Sequence, residues 1–319
     1  MEDRALDSFR FFTKKPLSRR EFLKLGVEGG LGLAFLSFLK ACNIPNSPAS
    51  TPIVSPAAWA TATPVPGVDI DMKLFDAKRP DATREQIDFL RNNGREPVEM
   101  ILEKLQGSVS VVGLGEMHNE LDMEQFANRV IGAAAERKLI QFVALEIDNS
   151  EQGQGQVDEF LRRGTISPEL QKILNQHNTV YLSILETARN NQLPILCVDN
   201  HGSNDRDDFM SRRILSNLEA HPADKCIFYG GNGHMIERYD LLAGTLKDKY
   251  YSVFQLNDRN IGTGETVYNA MIQAGIKEAI GIDNVKQTPF STATYGHPYE
   301  LWSEYGRITD AIVLLPPKK

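Results

Sequence analysis

Cysteine is scarce in this chain: three residues in 319, with no Cys-x-x-Cys pair among them. A disulfide-scaffolded fold and a cysteine-built zinc or redox site are both excluded. Excess positive charge is missing as well. The formal net charge is −7 and the pI about 5.5, with no strong basic tract beyond the N-terminal segment. A nucleic-acid surface normally carries a basic footprint, so no nucleic-acid partner is expected. No apolar run has the roughly 20 strongly apolar residues of a spanning helix. The Gly-x-Ser-x-Gly elbow of a serine esterase does not occur, and there is no internal repeat. What remains, at 41% hydrophobic and 24% charged residues, is ordinary globular composition. It is long enough to bury a core without staples.

Positive charge concentrates at the N-terminus. Residues 1–42 hold eight Lys/Arg against five Asp/Glu, which leaves a net of −10 on the rest. Ser18-Arg19-Arg20-Glu21-Phe22-Leu23-Lys24 resembles the twin-arginine export signal, and the moderately apolar run Leu25 to Leu39 stands where a signal's hydrophobic region belongs. Leu39-Lys40-Ala41-Cys42 looks like a lipobox, in which Cys42 would be lipidated; cleavage near Ala58-Trp59-Ala60 is the alternative. These resemblances imply the twin-arginine export machinery as a partner. They also imply a place in the cell envelope, on the periplasmic or extracellular face, with Cys42 as the membrane anchor. Residues 43–83 read as a Pro/Ser/Thr-rich tether and lead-in, since Pro45, Pro48, Pro52, Pro56, Pro64 and Pro66 interrupt a stretch with little to bury.

Residues 84–319 read as a single α/β domain. Amphipathic helices near Arg84–Asn93 and Pro97–Leu105 precede the apolar strand Val109–Leu114. Helix Leu121–Arg137 leads to strand Phe142–Leu145. Helices Gln152–Arg162 and Pro168–Asn190 then precede Pro194–Val198. Helix Asp205–Ala220 leads to Cys226–Tyr229, and helix Met235–Leu246 to Tyr251–Phe254. A helix at Glu265–Ala274 and strands near Ala279–Ile282 and Ala311–Leu315 complete the pattern. Apolar strands separated by helices pair in parallel through right-handed crossovers. The expected fold is therefore a mostly parallel sheet with helices on both faces. Cys197 and Cys226 lie in strand-like runs and read as buried free thiols.

In such sheets the site forms beyond the carboxyl ends of the strands. The first four strands run into Gly115-Glu116-Met117-His118, Glu146-Ile147-Asp148, Asp199-Asn200-His201 and Gly231-Asn232-Gly233-His234, which gathers three of the six histidines on one rim. Gly113-x-Gly115 is no dinucleotide loop, because His118 stands where the third glycine is needed for close helix packing. Each residue has an ordinary alternative: Glu116 as a helix cap, Glu146 solvated in a loop, Asp199 and His201 in a turn.

Gly115-Glu116-Met117-His118, then Ala144-Leu145-Glu146, then Gly231-Asn232-Gly233-His234 resemble the TIKI-like superfamily. That grouping includes ChaN haem-binding lipoproteins, TraB-like proteins, TIKI metalloproteases and erythromycin esterases. The resemblance spans roughly Leu105 to Leu315 and implies Glu116, His118, Glu146 and His234 as catalytic residues. Asp148, Asp199, His201 and Asn232 would support them from behind.

Two classes of function stay open. One is a hydrolase of a small-molecule or peptide substrate. Its water is activated either by a divalent metal (zinc or manganese) on His118, Glu146 and His234, or without metal by a His polarised by a Glu. The other is a haem- or metal-binding envelope protein without turnover, with Tyr229, Tyr239, His234 or Met235 near the cofactor.

If the export reading holds, the double change Arg19→Lys plus Arg20→Lys will leave the protein in the cytoplasm. Cys42→Ser will move it from the membrane to the soluble fraction. Cell fractionation and immunoblotting read both outcomes.

Overall fold

The computed structural model describes residues 81–316 apart from 119, 177–180, 201–205, 237–244, 259–260 and 298–299. The export signal, Cys42, almost all of the tether, His201 and Tyr239 lie outside the described residues. Arg79–Lys319 forms one compact unit. Among the described residues no helix is long and apolar enough to cross a membrane.

The lead-in ends at Thr83, whose hydroxyl accepts from the Gln86 N–H while the Gln86 side chain accepts from the Thr83 N–H. This reciprocal cap starts α1 (Arg84–Asn93). Next come α2 (Pro97–Gln106), β1 (Val111–Glu116), α3 (Leu121–Glu136), β2 (Phe142–Asp148) and α4 (Glu151–Arg163). The chain continues through α5 (Pro168–Gln176), α6 (Tyr181–Asn190), β3 (Ile195–Asp199), α7 (Arg206–Ala220) and β4 (Cys226–Gly231). After a short 3-10 turn at Asn232–Met235 come β5 (Tyr250–Leu256), α8 (Ile261–Ala274) and β6 (Ile280–Ile282). The last strands are β7 (Thr294–His297), β8 (Glu300–Glu304) and β9 (Ala311–Leu314).

Seven strands form one sheet in the order β3-β2-β4-β1-β5-β9-β6. Every pairing is parallel except β6 with β9. Alternation along the strands separates two cores. Val112, Leu114, Val143, Leu145, Ile227 and Tyr229 pack on one face with residues of α2, α3 and α6. Val111, Phe142, Ala144, Cys226 and Phe228 pack on the other with residues of α1, α7 and α8. Helices on both faces explain why the strands read as continuous apolar runs.

Three details differ from the sequence reading. The stretch expected as one helix over Pro168–Asn190 contains two, α5 and α6. The helix expected from Met235 does not begin there: the 3-10 turn ends at Met235, and Ile236 is extended at φ −69°, ψ 114°. The antiparallel hairpin β7–β8 lies outside the main sheet and was not among the expected strands.

One topological feature positions the site. After β3 the chain returns and inserts β4 between β2 and β1. The carboxyl ends of β2, β4 and β1 therefore stand side by side, at a place where the strand order reverses.

A glycine keeps this centre tight. A Cβ at Gly113 would overlap the Tyr250 hydroxyl and approach Met235 Sδ to 2.6 Å. Gly113→Ala is expected to destabilise the fold by about 1–3 kcal/mol, the usual cost of overpacking a core. Urea denaturation of the variant against the parent checks this.

Candidate active site

Glu116 ends β1, beside Gly231 at the end of β4. Its side chain is 1% exposed, and neither carboxylate oxygen has a well-directed hydrogen-bond donor. The nearest is His118, whose Nδ1 lies 2.6 Å from Oε1 but off the alignment of a good hydrogen bond. His118 itself is 63% exposed. Close approach to Glu116 outweighs partial desolvation and, with Glu146 adding, raises the imidazole to about 9; the charge of His234 opposes this. The His118 ring edge lies over Gly231, where a Cβ would stand 3.5 Å from Cε1 and 3.6 Å from Nε2.

Glu146, near the end of β2, is in the opposite condition. Oε2 accepts from the Gly231 N–H at 2.8 Å. Oε1 accepts from Arg206 Nη2 at 2.9 Å and lies 3.0 Å from His234 Nε2. Burial alone would lift this carboxyl, but His234, His118 and Arg206 outweigh it and hold it well below the ordinary carboxylate range. Both of its oxygens are engaged.

His234 closes the arrangement. Its Nε2 faces Glu146 and its Nδ1 is hydrogen-bonded to Asp207. Burial disfavours the charged ring, yet Glu146 and Asp207 prevail and raise it to about 10. Arg206, at the start of α7, grips Asp199 with Nε on Oδ1 at 2.7 Å and Nη2 on Oδ2 at 2.6 Å. Asp199 Oδ1 also accepts from the Asn200 N–H at 2.7 Å.

The structure thus brings together Glu116, His118, Glu146 and His234, with Asp199 behind Glu146 through Arg206. Asp148 is not part of the group: it accepts from the Ser150 N–H at 3.0 Å, at the start of α4. Asn232 is buried beside it, with Nδ2 3.5 Å from the Gln255 carbonyl and Oδ1 against Gly115. Cys197 and Cys226 are free and buried; burial pushes the Cys197 thiol up to about 12 and Cys226 higher still.

Arg206 and Asp207 escaped the sequence reading. Asp207 looked like routine first-turn acidity. Arg206 carried a signal that was available: a cation at a helix N-terminus opposes the helix dipole, so something else must hold it there.

The expected metal set does not materialise. Among the described residues no group of three or more His, Cys, Asp or Glu is arranged to hold a metal ion. The cause is local: both nitrogens of His234 already face carboxylates, and the Arg206 cation shares the Glu146 oxygen that would have to ligate. His118, Glu146 and His234 therefore do not fit zinc or manganese. The haem ligands proposed beside them fare no better. Tyr229 and Met235 are fully buried, and Met235 Sδ accepts from the Tyr250 hydroxyl at 2.9 Å.

No family model and no curated protein sequence matches the chain. Solved structures do. A succinoglycan biosynthesis protein superposes with a TM-score of 0.57 at 9% identity, over 73% of this chain and 96% of the other. A mutant of the erythromycin esterase EreC in its open conformation gives 0.53 at 12% identity, over 74% and 97%. The chain shares its fold with erythromycin esterase. A Bacillus cereus protein gives 0.53 at 13% identity, over 75% and 98%. The fold implied by the Gly-Glu-x-His resemblance is the fold observed.

The charge arrangement has a pH signature. His234 is raised from 6.5 to about 10 in the folded state. Its contribution to stability is therefore complete below about pH 6.5 and is lost as pH rises through 10. The depressed Glu146 contributes above its ordinary value of 4.5 and loses that contribution as pH falls. The urea midpoint is expected to decline between pH 6.5 and 10, and His234→Gln to flatten that limb.

Proposed function

We propose that the chain is a hydrolase of an acyl compound, a small-molecule or peptide ester or amide, and that His118 polarised by Glu116 activates the water without a metal. The observation that supports this reading is the pairing of an exposed imidazole with a buried carboxylate that lacks other well-directed donors. Glu116 is too enclosed to meet substrate and acts through His118. His118 Nε2 lies at the rim, over a glycine that leaves it room.

In the reaction, His118 Nε2 takes a proton from water as the oxygen attacks the acyl carbon. The imidazolium then returns that proton to the leaving oxygen or nitrogen as the acyl bond breaks. Glu116 stabilises the charged ring at Nδ1 throughout. Glu146 and His234 do not exchange protons in this scheme. They hold the Gly231 strand end on which the His118 ring rests.

Because His118 must be neutral to accept the proton, the rate is expected to climb with pH towards about 9. Glu116→Gln removes the largest cause of that elevation. It should lower the limb towards 6.5 and cut turnover by about a hundred- to ten-thousand-fold. Hydrolysis of an ester and amide panel across pH reads both effects, and unchanged turnover in Glu116→Gln removes the proposal. Haem binding is the rival reading, and exposed His118 is an imidazole on the same rim for it to use. A Soret band in the purified protein that disappears in His118→Ala would replace the hydrolase reading.

Export by the twin-arginine route and anchoring through Cys42 belong to the same proposal. They rest on the Ser18–Lys24 and Leu39–Cys42 motifs, and they would place the hydrolase in the envelope.

A further inference from the structure

Arg206 is more than a counter-charge for two carboxylates. A guanidinium carries five N–H donors in a rigid plane. In Arg206 the Nε donor is engaged by Asp199 Oδ1, and the two Nη2 donors by Asp199 Oδ2 and Glu146 Oε1. That leaves the two donors on Nη1. They make no hydrogen bond among the described residues. The side chain as a whole is 27% exposed, while Asp199 and Glu146 behind it are 0% and 4% exposed. The guanidinium is thus held along one edge, with Nη1 uncommitted among the described residues.

Arg206 borders the working rim through Glu146. Arg206 touches the same Glu146 oxygen that faces His234, and the other Glu146 oxygen holds Gly231 beneath the His118 ring. Arg206 and His118 therefore flank one carboxylate from two sides. We propose that Arg206 binds the carbonyl oxygen of the substrate through Nη1 and stabilises the negative charge that develops there when water attacks. This rests on the hydrolase reading and names its missing part, the group that receives the oxyanion.

The physical case is one of preorganisation. Donors fixed before the reaction need no reorientation as charge develops. Three engaged donors hold this guanidinium in one orientation, so little rotamer entropy remains to be lost on binding. The two neighbouring carboxylates offset much of its net charge. That favours a neutral carbonyl, whose oxygen gains charge only during reaction, over a fully ionic ligand. The substrate class is accordingly a neutral ester or amide.

Two measurements test this. Wild-type protein crystallised with butyramide should show the amide oxygen within about 3.2 Å of Nη1, a normal hydrogen-bond distance. Parallel crystals with butyrate should show weaker occupancy there. In solution, Arg206→Lys keeps a charge but loses the fork. On the best ester of a panel it should lower kcat by about a hundred- to a thousand-fold with a smaller change in KM.

Should Arg206→Lys fail to fold, the butyramide crystals decide alone. Amide bound at Nη1 with no turnover on any ester or amide would uphold carbonyl binding by Arg206 while removing the hydrolase reading and, with it, the oxyanion role. Butyramide absent from Nη1, or seated elsewhere only, overturns the assignment. So does wild-type kcat in folded Arg206→Lys, and in that case hydrolysis by His118 still stands.

Discussion

The Glu146 carboxylate is the constraint on which the rest of the site depends. One of its oxygens takes the Gly231 N–H across the β2–β4 boundary, and the other receives Arg206 from α7 and His234 from the turn after β4. Three segments that are distant in sequence are pinned by one side chain. Burying a carboxylate is costly unless it is paired and hydrogen-bonded. Here every partner that lowers the cost also fixes a piece of the site. Asp199 and Asp207 repeat the logic one step further out, each completing the cation that Glu146 began.

Glu116 breaks the rule that Glu146 obeys. Both are buried at adjacent strand ends, yet Glu116 has no well-directed donor, and the imidazole close to it, His118, is itself exposed. Buried polar groups are usually satisfied, and the exceptions concentrate where structure has been traded for chemistry. The contrast assigns roles that residue type alone cannot. Two carboxylates and two imidazoles look equivalent in sequence. In the fold one pair is engaged on every oxygen and nitrogen, and the other is not.

Most of the framework was legible in the amino-acid order. Continuous apolar runs such as Val111–Leu114 and Cys226–Tyr229 announced strands covered on both faces, and His118 and His234, each just past a strand end, marked the rim. The failures have physical causes. Pro168–Asn190 kept helical periodicity across what are two helices. Met235 carried helix-compatible neighbours, but the tight turn from Gly231 leads into extended Ile236. The proposed metal set failed because ligand spacing says nothing of competing partners: Asp207 and Arg206 occupy the atoms that a metal would need. Both arrive on α7, and pairing between a helix start and two strand ends is a tertiary fact with no local sequence period.

Fold likeness and site chemistry also carry different amounts of information here. At 9 to 13% identity the three solved structures align over nearly their whole lengths, so what is shared is the arrangement of sheet and helices. An α/β sheet of this order presents a rim at which many chemistries can be mounted. The esterase neighbour therefore says where to look and not what will be found. What narrows the choice lies in this chain's own atoms. His118 is available because Gly231 gives it room, Glu116 because nothing competes for it, and Arg206 because three of its five donors are already held. On the proposed reading these three are a base, its polarising partner and an oriented donor, and behind them stands a carboxylate with both oxygens engaged.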